Sequence, residues 1–141
     1  MMYLLDTNVV SELRVPRRAD PQLLAWTERQ DETRSFLSVM TILEIQYGAL
    51  LLERRDARAG KILRRWVEES VLPKFADRIL PATVEIAFAC ARLHIPDRRG
   101  ERDAWIAATA LAHNLTVVTR NIKDFSGTGV KLLNPWLPAS G

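Results

Sequence analysis

Four acidic positions stand where ordinary packing does not ask for an acid. Asp6 directly follows the apolar run Tyr3-Leu4-Leu5. Glu44 sits inside Ile42-Leu43-Glu44-Ile45, with Tyr47, Gly48 and Leu51 at helical spacing beyond it. Asp103 precedes Ile106, Ala107 and Ala110 at the same spacing, so it extends an apolar stripe. Asp124 and Asn121, both oxygen donors, lie in the segment Thr119-Arg120-Asn121-Ile122-Lys123-Asp124-Phe125. Taken singly, each has a structural reading: a helix cap for Asp6, half of a capping box with Thr41 for Glu44, a first-turn acid for Asp103, and an Asn/Asp turn for the last segment. Taken together, acids at strand ends and helix starts can converge on one pocket. Converging carboxylates repel, so such a cluster wants a cation, and an all-oxygen ligand set selects a hard one, Mg²⁺ with Mn²⁺ as substitute. Carboxylate-held Mg²⁺ suits phosphodiester hydrolysis. No nucleophile motif of the serine, cysteine or histidine kind is present, and neither phosphate-cradling glycine motif occurs. His94 and His113 are isolated in sequence and read as surface or helix-end residues.

The elements that must position these acids alternate. Strand signals fall at Tyr3–Leu5, Ser35–Val39, Arg78–Leu80, Thr116–Thr119 and Lys131–Leu133. Helical patterns fall at Val9–Leu13, after Thr7 and Asn8 as cap residues, and at Pro21–Gln30. They recur from Thr41 as cap to Arg54, at Ala57–Val71 up to Pro73, at Thr83–Leu93, and at Arg102–His113 with Asn114 as a left-handed cap. Short apolar strands between helices predict an α/β fold with helix layers on both faces of a mostly parallel sheet. Ligands of such sheets bind beyond the carboxyl ends of the strands. Asp6 and the segment after Thr119 fall at that edge.

The 141 residues suit one domain spanning 1–141, with no linker, repeat or low-complexity tract. The charge is +3, with 20 Lys and Arg against 17 Asp and Glu, which permits a nucleic-acid partner without demanding one. The basic residues bunch at Arg14, Arg17 and Arg18, at Arg54 to Arg65, and at Arg98, Arg99 and Arg102. The single cysteine, Cys90, forms no internal disulfide and reads as a packed core thiol. No basic leader opens the sequence, and no run approaches the roughly 20 apolar residues of a membrane span. These features predict a soluble, cytoplasmic protein without a membrane association.

At these residues the sequence resembles the PIN-domain family and, within it, the VapC-type toxins. The resemblance is carried by Leu4 to Leu13, by Ser38 to Ala49, by Asp103 to Ala110 and by Leu115 to Asn121 with Asp124-Phe125. The ending Leu133-Asn134-Pro135-Trp136 carries it further, so that it runs from about residue 3 to 136. It implies a three-layer α/β/α fold and Mg²⁺-dependent cleavage of RNA by the toxin half of a type II toxin–antitoxin pair. By position it implies Asp6, Glu44 and Asp103 as the acidic core. Asp6 and Asp103 would contact the metal, and Glu44 would complete the shell or orient water. Either Asn121 or Asp124 fills the fourth position, with Asp124 the acid of the toxin-branch pattern. Thr7, Asn8, Thr119 and Asn121 would hydrogen-bond the carboxylates or the phosphate. A homodimer and a small antitoxin partner are implied too, and Leu50, Leu51 and Leu52 with Trp66 offer a surface for the antitoxin. Two other readings stay open. One is a PIN-like module without chemistry. The other is a haloacid-dehalogenase-type phosphohydrolase, which would want an acid where Asn8 stands.

Overall fold

A computed structural model describes residues 1–138 of the chain. Strands β1 (Tyr3–Leu5), β2 (Ser35–Ser38), β3 (Ile79–Leu80), β4 (Thr116–Val118) and β5 (Lys131–Leu133) form one sheet in the order β3-β2-β1-β4-β5. All four ladders are parallel. Parallel neighbours need crossovers, and the helices provide them: α1 (Thr7–Glu12), α2 (Pro21–Glu28), α3 (Val39–Arg55), α4 (Ala57–Trp66), α5 (Leu72–Lys74), α6 (Val84–Leu93) and α7 (Glu101–His113). β1 is central, with Tyr3 beside Ser35 on one side and beside Thr116 on the other.

The period-two alternation of β1 and β4 divides the core into two. Leu5 and Val118 join one cluster with Val9, Leu23, Ile45, Val67 and Phe75. Leu4 and Val117 join another with Ile106, Ala107, Ala110 and Phe125. Helices therefore cover both faces, giving the three-layer α/β/α arrangement that the strand pattern predicts. α6 packs outside α7 through Ile86, Cys90, Ala104 and Ala108. The alanines of α7 thus serve two neighbours, the sheet and α6, and their small side chains allow both to approach. α4 closes on α3 at Gly60, where a Cβ would lie 2.3 Å from the Cα of Glu53. Only glycine fits that approach.

Three local expectations need correction. Asp6, not Thr7 or Asn8, caps α1, its carboxylate accepting from the Thr7 N–H at 2.8 Å. Ser38, not Thr41, caps α3 by accepting from the Met40 N–H at 3.0 Å. Thr41 is buried inside the helix, so Glu44 is released from any capping box. The helix after α4 does not stop at Pro73: a π-helical turn, Val67–Val71, leads into α5, with Pro73 in its first turn. Val71 and Leu72 are already helical, so Pro73 lies next to the last residue of a continuous helix. Asn114 adopts the expected left-handed conformation at φ 54° and ends α7.

Candidate active site

The order β3-β2-β1-β4-β5 places a reversal of strand order between β1 and β4. From β1 the chain builds outward to β2 and β3, then returns to lay β4 on the other side of β1. At such a point two loops leave the carboxyl ends of adjacent strands in opposite directions and open a crevice. Asp6 follows β1 there, and Thr119 follows β4. They meet directly: the Thr119 hydroxyl donates to Asp6 Oδ2 at 2.8 Å. The Asn8 amide donates to the same oxygen at 3.4 Å and to the Thr119 hydroxyl oxygen at 3.3 Å. Asp6 is thereby fixed from both loops while almost wholly buried.

Glu44 reaches the same crevice from α3. The Thr7 hydroxyl donates to Glu44 Oε1 at 3.2 Å, and the Arg102 guanidinium stands 3.9 Å from Oε2. Asp103 arrives in the first turn of α7. Asp124 stands in a 3₁₀ turn, Ile122–Phe125, which Phe125 anchors in the core. Asn121 contributes its backbone, the N–H donating to the Thr119 hydroxyl at 3.0 Å. Its exposed side chain makes no cap bond to the turn.

Electrostatics tie the four acids together. Burial raises the pKa of Asp6 most, and the charge of Asp124 adds to that, against hydrogen bonds from Thr119 and Thr7 that lower it. Burial likewise raises Glu44, with Asp6 adding and Thr7 and Arg102 opposing. Asp103 is pushed up to about 6, by burial first and then by the charges of Asp6, Asp124 and Glu44. Every influence on Asp103 acts in one direction, so the pocket holds more negative charge than its cations balance. Asp124 takes part in this mutual repulsion.

These donors fit a hard divalent ion. They are oxygens only, and their crowding is what a cation would relieve. No three of them bring ligand oxygens within 4.8 Å of one another.

Two features escape the sequence. Arg102 belongs to a run of three arginines whose members do different things. Arg98 pairs with Glu101 at 3.5 Å. Arg99 turns inward to the carbonyls of Leu93 at 3.0 Å and Ser126 at 2.6 Å. Arg102 alone of the three faces the pocket. Nothing in the spacing distinguishes it, although its place next to Asp103 is the one available signal.

The second feature is a correction. His94 is not isolated: its Nε2 lies 3.9 Å from Cys90 Sγ and 3.8 Å from Glu101. Ligand atoms of these three residues all fall within 4.8 Å, which is metal-like spacing. The hydrogen bonding argues against a metal. His94 Nδ1 accepts from the Arg99 N–H at 3.0 Å, so the neutral ring carries its proton on Nε2, the atom a metal would need bare. Cys90 is a buried core thiol, as its apolar setting suggests, and burial pushes its pKa up.

Comparison with known proteins identifies the family and the fold. The PIN domain family matches residues 3–130. The chain is 35% identical to the VapC ribonuclease Y4jK of Sinorhizobium fredii (strain NBRC 101917 / NGR234), covering 98% of this chain and 100% of that protein. The crystal structure of FitAcB from Neisseria gonorrhoeae superposes with a TM-score of 0.85 at 35% identity, over 96% of this chain and 99% of that one. A toxin–antitoxin complex from Klebsiella pneumoniae is similar at a TM-score of 0.67 and 26% identity, over 94% and 97%.

Proposed function

The chain belongs to the PIN-domain family, in its VapC-type branch, and we propose that it is a Mg²⁺-dependent endoribonuclease acting as the toxin of a toxin–antitoxin pair. The observation that carries this reading is the convergence of Asp6, Glu44, Asp103 and Asp124 on the β1/β4 crevice, where burial and mutual charge raise three of them together. The near-full-length likeness to a VapC ribonuclease supports the substrate class. The likeness to a toxin–antitoxin complex supports an antitoxin partner. The reading extends to a homodimer acting in the cytoplasm. No helix among the described residues is long and apolar enough to cross a membrane.

In this reading Asp6 and Asp103 hold the ion, and Asp124 supplies the fourth acid. A divalent ion held there would supply Lewis acidity toward the scissile phosphodiester and toward an attacking water. Thr119 and Asn8 fix the orientation of Asp6, so its lone pairs are aimed before substrate arrives. Thr7 does the same for Glu44. Glu44, its basicity raised by burial and by Asp6, is placed to orient the water and take its proton.

The test is cleavage of a mixed RNA pool by the purified protein in Mg²⁺, in EDTA, and by Asp6→Asn in Mg²⁺. Cutting is expected only from the unaltered protein with Mg²⁺. Asparagine keeps the size of the side chain and its capping oxygen but is a poorer ligand for a hard cation, so the variant stays folded and loses cleavage. Cutting that persists in EDTA, or full activity in Asp6→Asn, overturns the metal-held mechanism.

A further inference from the structure

Beside the acid pocket stands a pair of side chains that neither the core nor the proposed chemistry uses. Tyr47 lies one turn beyond Glu44 on α3 and is 49% exposed. It belongs to none of the three core clusters. The guanidinium of Arg102 sits 5.5 Å from the centroid of its ring, and the Arg102 side chain is itself 43% exposed. The same guanidinium stands 3.9 Å from Glu44 Oε2. One cation thus touches an acid of the pocket on one side and an open aromatic ring on the other.

A purely structural role accounts poorly for this pair. An exposed cation–π contact and an exposed ion pair each contribute little to stability. Neither explains why an acid-rich pocket carries an arginine that weakens its attraction for a cation. A polyanion bearing flat bases does explain it. Unpaired bases of single-stranded nucleic acid stack on aromatic rings and on arginine planes, and their phosphates pair with guanidinium groups. The pair borders directly on the acids where the phosphodiester would lie. A groove of about 410 Å³, with Glu44, Gly48, Arg14 and Arg55 in its lining, also reaches the acids.

We propose that Tyr47 and Arg102 form a nucleobase subsite, in which Tyr47 stacks an unpaired base of single-stranded RNA next to the scissile phosphodiester and Arg102 pairs with the adjoining phosphate. The proposal rests on the ribonuclease reading above and deepens it. Tyr47 would then contribute to where the strand is cut, since the stacked base sets the register of the chain over the acids.

The experiment measures binding, separately from cleavage. Asp6→Asn/Asp103→Asn protein, which cannot cut, is titrated against a fluorescein-labelled short single-stranded RNA of mixed sequence. A ribose-phosphate strand of the same length without bases serves as the second probe. In this background Tyr47→Ala is expected to weaken RNA binding by roughly tenfold and to leave the abasic strand unaffected. Tyr47→Phe retains the affinity, and Arg102→Gln weakens both probes. Equal RNA affinity for Tyr47→Ala and its parent overturns the subsite, as does an equal loss on both strands. A loss confined to antitoxin binding also overturns it and marks the face as a protein-docking surface. If neither strand binds the parent protein and the mixed pool is not cut, the ribonuclease reading itself has failed, a result distinct from failure of the subsite.

Discussion

The molecule holds two clusters of ligand-type side chains, and they are opposites. Cys90, His94 and Glu101 are close enough to hold a metal, yet each charge or lone pair there already has a complement. Arg99 satisfies one ring nitrogen of His94, Glu101 faces the other, and Arg98 pairs with Glu101. The acid pocket is more open, but Asp103 is pushed up to about 6 with nothing opposing. Interatomic distance alone would choose the first cluster. Unbalanced charge chooses the second, and a ligand site is better recognised by what its residues lack than by how near they stand.

The sharpest break of this comparison is Asp103→Asn. Cleavage in Mg²⁺ is expected to fall on the order of 10²–10³-fold, while the melting temperature holds or rises because one of four crowded charges is gone. A large fall in melting temperature would instead make Asp103 a helix-start residue whose charge supports the fold.

A smaller effect concerns pH. The folded-state pKa of Asp103, about 6, lies above its ordinary 3.8. The folded chain binds that proton more tightly than the unfolded chain does. Acidification from above pH 6 toward 3.8 therefore favours the fold, and the gain is lost as pH rises back through 6. The metal-free protein should melt at a higher temperature at pH 5 than at pH 7.5 if Asp103 dominates the difference. Saturating Mg²⁺ should flatten that dependence, because a bound cation supplies the balance that the proton otherwise gives. A metal-free melting temperature that falls steadily on acidification over this range counts against a strained pocket.

The smallest effect belongs to the satisfied cluster. His94→Ala should leave Mg²⁺-dependent cleavage within about twofold and lower stability by about 1 kcal/mol, the value of an ordinary hydrogen bond. Titration calorimetry should find that Zn²⁺ binds no more tightly to the unaltered protein than to the variant. Tight Zn²⁺ binding that depends on His94 would reverse the contrast between the two regions.

How much of this the sequence discloses depends on the range of the interaction. Strand β1 matches the apolar run Tyr3–Leu5 residue for residue, and β5 matches Lys131–Leu133, because short apolar runs between helices admit few other readings. Caps are harder. Asp6, Thr7 and Asn8 are all good capping types, and choosing among them needs the backbone turn after β1. The capping-box spacing of Thr41 and Glu44 misleads for a related reason: Ser38 starts α3 one turn earlier. Asp124 and Asn121 cannot be ranked from their spacing, since both are oxygen donors in one turn. The approach of His94 to Glu101 depends on the path of the loop between α6 and α7, which no periodicity encodes.

The place of β1 in the middle of the sheet has a consequence in time. Residue 3 pairs with residue 116 and residue 5 with residue 118, so one of the two neighbours of the central strand is made long after the strand itself. The crevice needs Thr119 and Asp124 as well as Asp6. A growing chain that has reached Asp103 holds three of its four acids and no crevice to gather them. Closing so long a loop is also slow relative to local folding. The sheet order therefore acts as a delay: during synthesis the full set of acids assembles only after β4 and the turn beyond it have been made, and a product ending before β4 lacks the crevice.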